Sequence, residues 1–180
     1  YDDAYIYINK AINLDPYKVE FHASLADLFK KLGRLDDALT TYKYTVKLNS
    51  SYYPAYINMA KILNDLERFD EAINVYKKVI KIKPDLAITY YNLANIQKKI
   101  NKIEDSITNY KKGLELNPNF ADAHYNLANT YANIGQYKKA DFSYENAIRI
   151  DPNNQKFWSN RLLNLNYNQN LSNQYIFSQH

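Results

Sequence analysis

The chain has 180 residues, of which 46% are hydrophobic and 23% charged, a composition typical of folded globular proteins. Its formal charge of +4 comes from lysines spread along the whole chain, and the absence of cysteine excludes disulfides and thiolate metal sites. No stretch approaches the roughly 20 apolar residues that span a bilayer. We therefore expect no nucleic-acid or membrane partner and an intracellular location, cytoplasmic or nuclear.

A period of 34 residues runs through the sequence. The pentapeptide YNLAN occurs at 91–95 and again at 125–129, and alignment at this separation places similar residues in columns. One column holds small residues, namely Ala4, Ala38, Ala72, Ser106 and Ala140. Another holds Tyr42, Tyr76, Tyr110 and Tyr144, and a third holds Pro16, Ser50, Pro84, Pro118 and Pro152. Apolar residues within each period have helical spacing with a break near the middle, which predicts two helices per repeat.

The predicted elements follow in chain order from a half-repeat with one helix at 2–13. Eight helices come next, in pairs, at 19–31, 35–48, 53–65, 69–82, 87–99, 103–116, 121–133 and 137–150. A further first helix begins after Asp151-Pro152 and has no second helix after it. We divide the chain into the second helix of a truncated repeat (1–18), repeats at 19–52, 53–86, 87–120 and 121–154, and a capping helix with the start of a junction (155–180).

The break between the two helices of each repeat predicts a residue in the left-handed conformation. Gly33 and Gly135 stand at this position in two repeats, and Asn101 can adopt the same conformation. Glu67 occupies it in another repeat, where we expect some conformational cost.

At these columns the residues resemble the tetratricopeptide repeat family, whose pattern is aromatic-x-x-Leu-(Gly/Ala)-x-x-Tyr, followed by Ala, an aromatic residue, Ala and Pro. The resemblance extends to about residue 160, with departures at Ser50, Leu63, Gln97 and Ser106. It implies an all-α solenoid in which antiparallel helix pairs stack into a right-handed superhelix with a concave inner face.

Two polar columns on the first helices form what we call the amide ladder. The stripe through His22, Leu25, Ala26 and Phe29 is expected to pack inward, so by elimination the next stripe faces the concavity. Its positions after Ser24 are Asn58, Asn92, Asn126 and Asn160, and a second column holds Asp27, Lys61, Asn95 and Asn129. Because asparagine is a poor helix former, its repetition in register suggests a functional reason.

A carboxamide has two donors and one acceptor, which match the C=O and N–H of a peptide backbone. The amide ladder therefore predicts a groove for protein or peptide substrates. Tyr91 and Tyr125 stand beside it and are candidates for aromatic contact, although packing explains them equally well. Replacing Asn58, Asn92 and Asn126 together by Ala is expected to abolish binding and to leave helicity unchanged or slightly raised.

The C-terminal sequence resembles the junction between repeats and catalytic region in SPINDLY-type and bacterial O-linked N-acetylglucosamine transferase-like enzymes. The pattern consists of Asn160-Arg161-Leu162-Leu163, Asn166-Tyr167, Leu171-Ser172, Ile176-Phe177 and His180. It implies that this chain is the substrate-recognition region of a nucleotide-sugar-dependent protein O-glycosyltransferase, with the catalytic region beyond His180. A departure from the pattern is Asn170, where the family has Asp.

Two alternatives remain open at this stage. The tail can instead be a capping helix whose Leu162, Leu163, Leu165 and Tyr167 cover the last apolar face. The repeats can equally belong to a stand-alone scaffold for protein–protein interactions in complex assembly or transport, and homodimerisation through the repeats is undecided. The columns assign His22 and His124 to packing, so we expect no catalytic residue, metal or cofactor in this chain.

Overall fold

The computed structural model describes residues 2–177, with side chains described as far as Tyr167. These residues form ten α-helices and no strand. The helices are α1 Asp2–Leu14, α2 Val19–Lys31, α3 Leu35–Leu48, α4 Tyr53–Asp65, α5 Phe69–Ile82, α6 Ala87–Lys99, α7 Ile103–Leu116, α8 Ala121–Asn133, α9 Tyr137–Ile150 and α10 Gln155–Phe177. The predicted bounds of α2 to α9 agree with these, and α1 ends one residue later than predicted. The all-α class is confirmed.

The turns between paired helices have the predicted left-handed residues. The φ angles are +73° at Gly33, +58° at Glu67, +59° at Asn101 and +74° at Gly135. In each turn the amide of the following residue donates to a carbonyl five positions back, for example Arg34 N to Phe29 O at 2.9 Å. This is the hydrogen bond of a Schellman motif, which requires a positive φ at the residue after the helix end.

The chain forms two compact units, Tyr1–Asp85 and Leu86–His180. In the first unit, α1 to α5 pack successively against one another. Ala26, Ala38, Ala60 and Ala72 are fully buried there, as is Tyr42, whereas Ala4 of α1 is exposed. Small side chains at these positions allow the helices to approach closely, and the large buried rings fill the space beside them.

The second unit packs α6 to α10 in the same way around a continuous apolar core. Tyr110 and Tyr144 lie at the centre of this core, and Phe157 of α10 extends it. The ring of Phe157 stacks on Tyr125 with 4.9 Å between ring centroids. The first residues of α10 thus continue the repeat pattern. Among the described residues, none of the helices combines the length and the apolar character that a membrane span requires.

The structure corrects the expectation that Leu162 and Leu163 of α10 cover the last apolar face. Leu162 and Leu163 are 60% and 57% exposed, and Tyr167 is 60% exposed. The packed face of α10 has helical spacing through Phe157, Asn160, Arg161 and Asn164. Leu162 and Leu163 lie outside this stripe, since a helix turns by about 100° per residue. Leu165 is half-buried, and the ring of Tyr167 stacks on that of Tyr137 with 6.2 Å between centroids.

Arg161 anchors α10 to α9. Its Nε donates to Asp141 Oδ1 at 2.7 Å, and its Nη2 also pairs with Glu145. The junction residues Leu171, Ser172, Ile176 and Phe177 belong to the part of α10 whose side chains are not described. His180 lies outside the described residues.

Candidate functional site

A hydrogen-bonded group of three side chains, which we call the amide lock, connects successive repeats in the second unit. Asn95 of α6 provides the acceptor. The hydroxyl of Tyr110 on α7 donates to Asn95 Oδ1 at 2.5 Å, and Asn126 Nδ2 of α8 donates to the same oxygen at 3.3 Å. Asn126 Nδ2 also donates to the hydroxyl of Tyr91 at 3.0 Å. Three helices are thereby joined at one carboxamide oxygen.

The next amide lock repeats this geometry one period later. Tyr144 of α9 donates to Asn129 Oδ1 at 2.6 Å, and Asn160 Nδ2 of α10 donates to that oxygen at 3.0 Å. Asn160 Nδ2 also donates to the hydroxyl of Tyr125 at 2.7 Å. Asn160, the first residue of the junction pattern, therefore has a structural role in the stack.

The first unit contains an amide lock with a carboxylate in place of the amide acceptor. Asp27 Oδ1 accepts from the hydroxyl of Tyr42 and from Asn58 Nδ2, the latter at 3.1 Å. The spacing along the chain is the same as in the second unit, with the tyrosine 15 and the asparagine 31 residues after the acceptor. The acceptor position is thus occupied by aspartate in one amide lock and by asparagine in the other two.

The amide locks leave a defined set of polar groups free in the second unit. The oxygens of Asn126 and Asn160 make no hydrogen bond within the described part of the chain, and neither do the Nδ2 groups of Asn95 and Asn129. These side chains are half-buried, and the free atoms keep access to solvent. Each amide lock of the second unit therefore presents one acceptor and one NH₂ donor on the first-helix face.

The other members of the predicted site differ in their surroundings. Lys61 is exposed, whereas Asn92 is half-buried and its Nδ2 is buried without a hydrogen-bond partner among the described residues. The ring of Tyr91 packs against Phe120 at 4.7 Å between centroids, and Tyr125 is only 5% exposed. For both tyrosines the ring packs within the stack and the hydroxyl reaches the amide ladder.

A cavity of about 340 Å³ adjoins the last amide lock. It is lined by Asn129, Ala132, Asn133, Tyr137, Tyr144, Asn160, Leu163, Asn164 and Tyr167. Asn164 donates to the carbonyl of Tyr137 at 3.0 Å, while its Oδ1 is buried without a partner among the described residues. Sequence reasoning missed this asparagine because it lies one turn beyond the column of Asn160.

Burial controls the ionisation of the tyrosines in the amide locks. It raises the pKa of Tyr144 to about 12, with a further increase from the nearby Tyr125. The pKa of Tyr110 is raised mainly by burial, and that of Tyr42 by burial and by the hydrogen bond to Asp27. These hydroxyls therefore remain protonated donors at neutral pH, which orients the acceptor oxygens toward them. The tyrosine column was visible in the sequence, but its spacing did not reveal this donor role.

The histidines have structural roles, as the columns indicate. The Nε2 atoms of His22 and His124 donate to the carbonyls of Pro16 and Pro118 at 2.8 and 3.0 Å. In the same column, Trp158 Nε1 donates to the carbonyl of Pro152 at 2.9 Å. Each ring thus ties a first helix to the proline turn six residues before it. Burial lowers the pKa of His124, which favours the neutral ring.

Solved structures with the same architecture include MamA, YrrB and TTC0263. MamA has a TM-score of 0.75 at 25% identity, covering 81% of this chain and 80% of that chain. YrrB, a TPR protein with an unusual peptide-binding site, has a TM-score of 0.75 at 21% identity, covering 91% and 84%. TTC0263, a thermophilic TPR protein of Thermus thermophilus, has a TM-score of 0.71 at 20% identity, covering 92% and 90%. No curated protein matches the sequence significantly.

Family models place the repeats directly on the sequence. A model of the TPR repeat matches residues 60–101 and 98–135, and a model of the tetratricopeptide repeat matches residues 121–154. Together these matches extend over 60–154, more than half of the chain. TPR proteins bind peptides or proteins, and this chain is a protein-binding module of that kind. The chain belongs to the tetratricopeptide repeat family.

Proposed function

We propose that the chain binds extended stretches of other proteins by their main chain, through the amide ladder. The observation that supports this is the common orientation of the amides. In both amide locks of the second unit, the Nδ2 group of the later asparagine donates to the Oδ1 atom of the earlier one, so these two groups are already paired. The outward groups are then an acceptor for a peptide N–H and a donor for a peptide C=O.

The repeat spacing fits an extended ligand. Packed helices lie roughly 8–10 Å apart, and an extended chain advances about 3.3 Å per residue. Successive amide locks would therefore meet the ligand at about every third residue. Since the contacts involve only the main chain, many sequences satisfy them.

The cavity beside Asn129 and Asn160 supplies the side-chain preference in this proposal. Its walls combine carboxamides with the rings of Tyr137 and Tyr167, so it suits a side chain of intermediate polarity. Asn129 and Asn160 of the adjoining amide lock present an NH₂ donor and an acceptor oxygen at its wall. A ligand residue with a hydroxyl or amide group would match these two groups.

A direct test compares a labelled peptide with the same peptide N-methylated at every third residue. Methylation removes main-chain donors and keeps the side chains, so it should weaken binding by roughly tenfold or more, whereas scrambling the sequence should have a smaller effect. The measurement is fluorescence anisotropy. Equal binding of the methylated and unmethylated peptides would refute main-chain recognition.

The matched variant is Asn95→Asp with Asn129→Asp. Aspartate keeps the acceptor oxygen, as Asp27 does in the first unit, and replaces the outward NH₂ donor by an oxygen. Peptide binding should fall while the thermal midpoint stays nearly unchanged. The control is Asn119→Asp with Asn153→Asp, which adds the same charge at exposed loop residues. The control is expected to bind like the unaltered chain.

We further propose that this groove delivers substrates to a protein O-glycosyltransferase. Support comes from the junction pattern that begins at Asn160 and Arg161. Asn160 bonds to Asn129 of α8 and Arg161 pairs with Asp141 of α9. The first residues of the junction pattern therefore hold α10 against the repeats. The parent protein is expected to transfer sugar from UDP-N-acetylglucosamine or GDP-fucose to a serine- or threonine-containing protein, detectable by mass spectrometry.

The second candidate function is a stand-alone scaffold for assembling protein complexes. The repeats by themselves support it, and solved structures with the same architecture, such as YrrB and TTC0263, are TPR proteins. A scaffold would retain peptide binding and transfer no sugar. The peptide-binding measurement therefore tests the groove, and the detection of sugar transfer tests whether the groove serves a glycosyltransferase.

A further inference from the structure

An apolar groove with a basic rim lies between α7, α8 and α9, and none of its lining residues belongs to the amide ladder. It has a volume of about 420 Å³. Its apolar lining includes Leu114, Leu127 and Tyr131, and Phe142 stands at its edge. Most of the accessible lining is hydrocarbon, which is the property of a surface that binds apolar side chains.

The groove is a recurrent feature of the repeat. The first unit has a groove of about 420 Å³ lined by Val46, Met59 and Leu63, which stand two repeats before Leu114, Leu127 and Tyr131. The stacking of two second helices around a first helix therefore creates this space. Individual side chains at its edge then determine what each copy can bind.

Phe142 distinguishes the groove of the second unit. The same position in the three preceding repeats holds Thr40, Asn74 and Thr108, which are all exposed polar residues, and only the half-repeat of α1 has an apolar residue there, Ile6. Phe142 is 68% exposed on the surface of α9. An isolated exposed apolar residue is common on protein surfaces, but this one stands where the three preceding repeats have a polar residue, and it extends an apolar groove.

The rim of the groove is positively charged. It is formed by Lys111, Lys138 and Lys139, and no carboxylate lines the groove. None of these lysines forms an ion pair in the described part of the chain, whereas the adjacent Lys112 pairs with Glu115 at 2.8 Å.

The nearby carboxylates of α9 are occupied, because Asp141 and Glu145 both bind Arg161. In the groove of the first unit, Glu71 stands at the position of Lys139 and pairs with Arg68. The uniform positive charge is therefore particular to the second unit.

We propose that this groove binds an acidic segment of a partner protein that inserts a large apolar side chain beside Phe142. The apolar floor provides the contact area for the anchor, and the unpaired lysines attract the flanking carboxylates. This surface acts in addition to main-chain binding by the amide ladder. The two sites use different helix faces and different chemistry.

The test uses three fluorescein-labelled peptides. One has glutamates flanking a phenylalanine and a leucine, one has lysines in place of the glutamates, and one has serines in place of the apolar pair. The first is expected to bind roughly tenfold more tightly than either of the others, and its affinity should decrease with salt. Failure of the first peptide to bind, or equal affinity for the acidic and basic peptides, would overturn the proposal.

Two variants introduce the residues that the chain has at the equivalent positions two repeats earlier. Phe142→Asn introduces the residue of Asn74, and Lys139→Glu introduces that of Glu71. Each should lower the affinity for the acidic peptide several-fold and leave the thermal midpoint unchanged. The control Lys112→Glu, outside the groove, should leave this affinity nearly unaffected. Unaltered affinity in both variants would also overturn the proposal. The Asn95→Asp and Asn129→Asp variant should bind this peptide normally, which separates this site from the amide ladder.

Discussion

Glu67 occupies a backbone conformation that Gly33 and Gly135 adopt at the same place in other repeats. Its φ of +58° brings Cβ close to the following carbonyl, a conformation that costs roughly 1–2 kcal/mol for an L-residue with a side chain. The side chain of Glu67 is exposed. The turn geometry, and not a side-chain contact, therefore determines the conformation of this residue.

Replacing Glu67 by Gly is expected to stabilise the chain. Relief of the left-handed conformation outweighs the greater freedom of glycine in the unfolded state, so the gain should be up to about 1 kcal/mol. The midpoint of urea unfolding measures it. The reciprocal change, Gly33→Glu, should lower the midpoint, and a lower midpoint for Glu67→Gly would contradict the argument.

Helices of successive repeats in each unit are joined by the amide locks as well as by apolar packing. The 34-residue period predicts the asparagine columns but gives no reason to distinguish one member from another. The structure separates them, because Asn126 donates two hydrogen bonds within the stack whereas Asn92 Nδ2 is buried and donates none among the described residues. A partner 31 residues away on another helix determines this difference.

Alanine at these two positions should therefore have different effects on stability. Asn126→Ala removes both hydrogen bonds and should cost about 1 kcal/mol after the gain in helix propensity. Asn92→Ala removes an unsatisfied amide and should be neutral or stabilising. Urea unfolding monitored by circular dichroism compares the two. Destabilisation by Asn92→Ala equal to that by Asn126→Ala would show that the amide lock contributes nothing.

Across the molecule, the recurring buried tyrosines are expected to make the folded state less stable at alkaline pH. Burial raises the pKa of Tyr42, Tyr110 and Tyr144 above the ordinary value of 10.0. Below that value the hydroxyl is protonated in both the folded and the unfolded chain. As pH rises through it, the unfolded chain loses protons first, so the folded state is progressively disfavoured.

The thermal midpoint should therefore fall as pH rises from about 10 toward 12, the interval between the ordinary pKa of tyrosine and that of Tyr144. Tyr144→Phe removes one of the responsible groups and should make the fall less steep, although it lowers the midpoint at neutral pH by removing the hydrogen bond to Asn129. Scanning calorimetry as a function of pH measures both effects. An equally steep fall in the variant would exclude Tyr144 as a contributor.

Periodicity alone allowed the helices and their turns to be predicted. Alanine and tyrosine columns, prolines between repeats and glycines within them are local signals, and each helix pair has most of them. The left-handed turn at Glu67 could also be inferred, because its position in the period implied a conformation that its own side chain disfavours.

The directions of the side chains depended on tertiary structure. Asn95 and Asn126 occupy equivalent-looking polar positions, yet one accepts and the other donates, since each has its partner on a different helix. The tail shows the same limit, because the face of α10 that packs was determined by Asp141, Glu145 and the core around Phe157, and not by its leucines. Periodicity specifies which residues share a face, whereas the atom that meets each polar group is known only when distant helices are brought together.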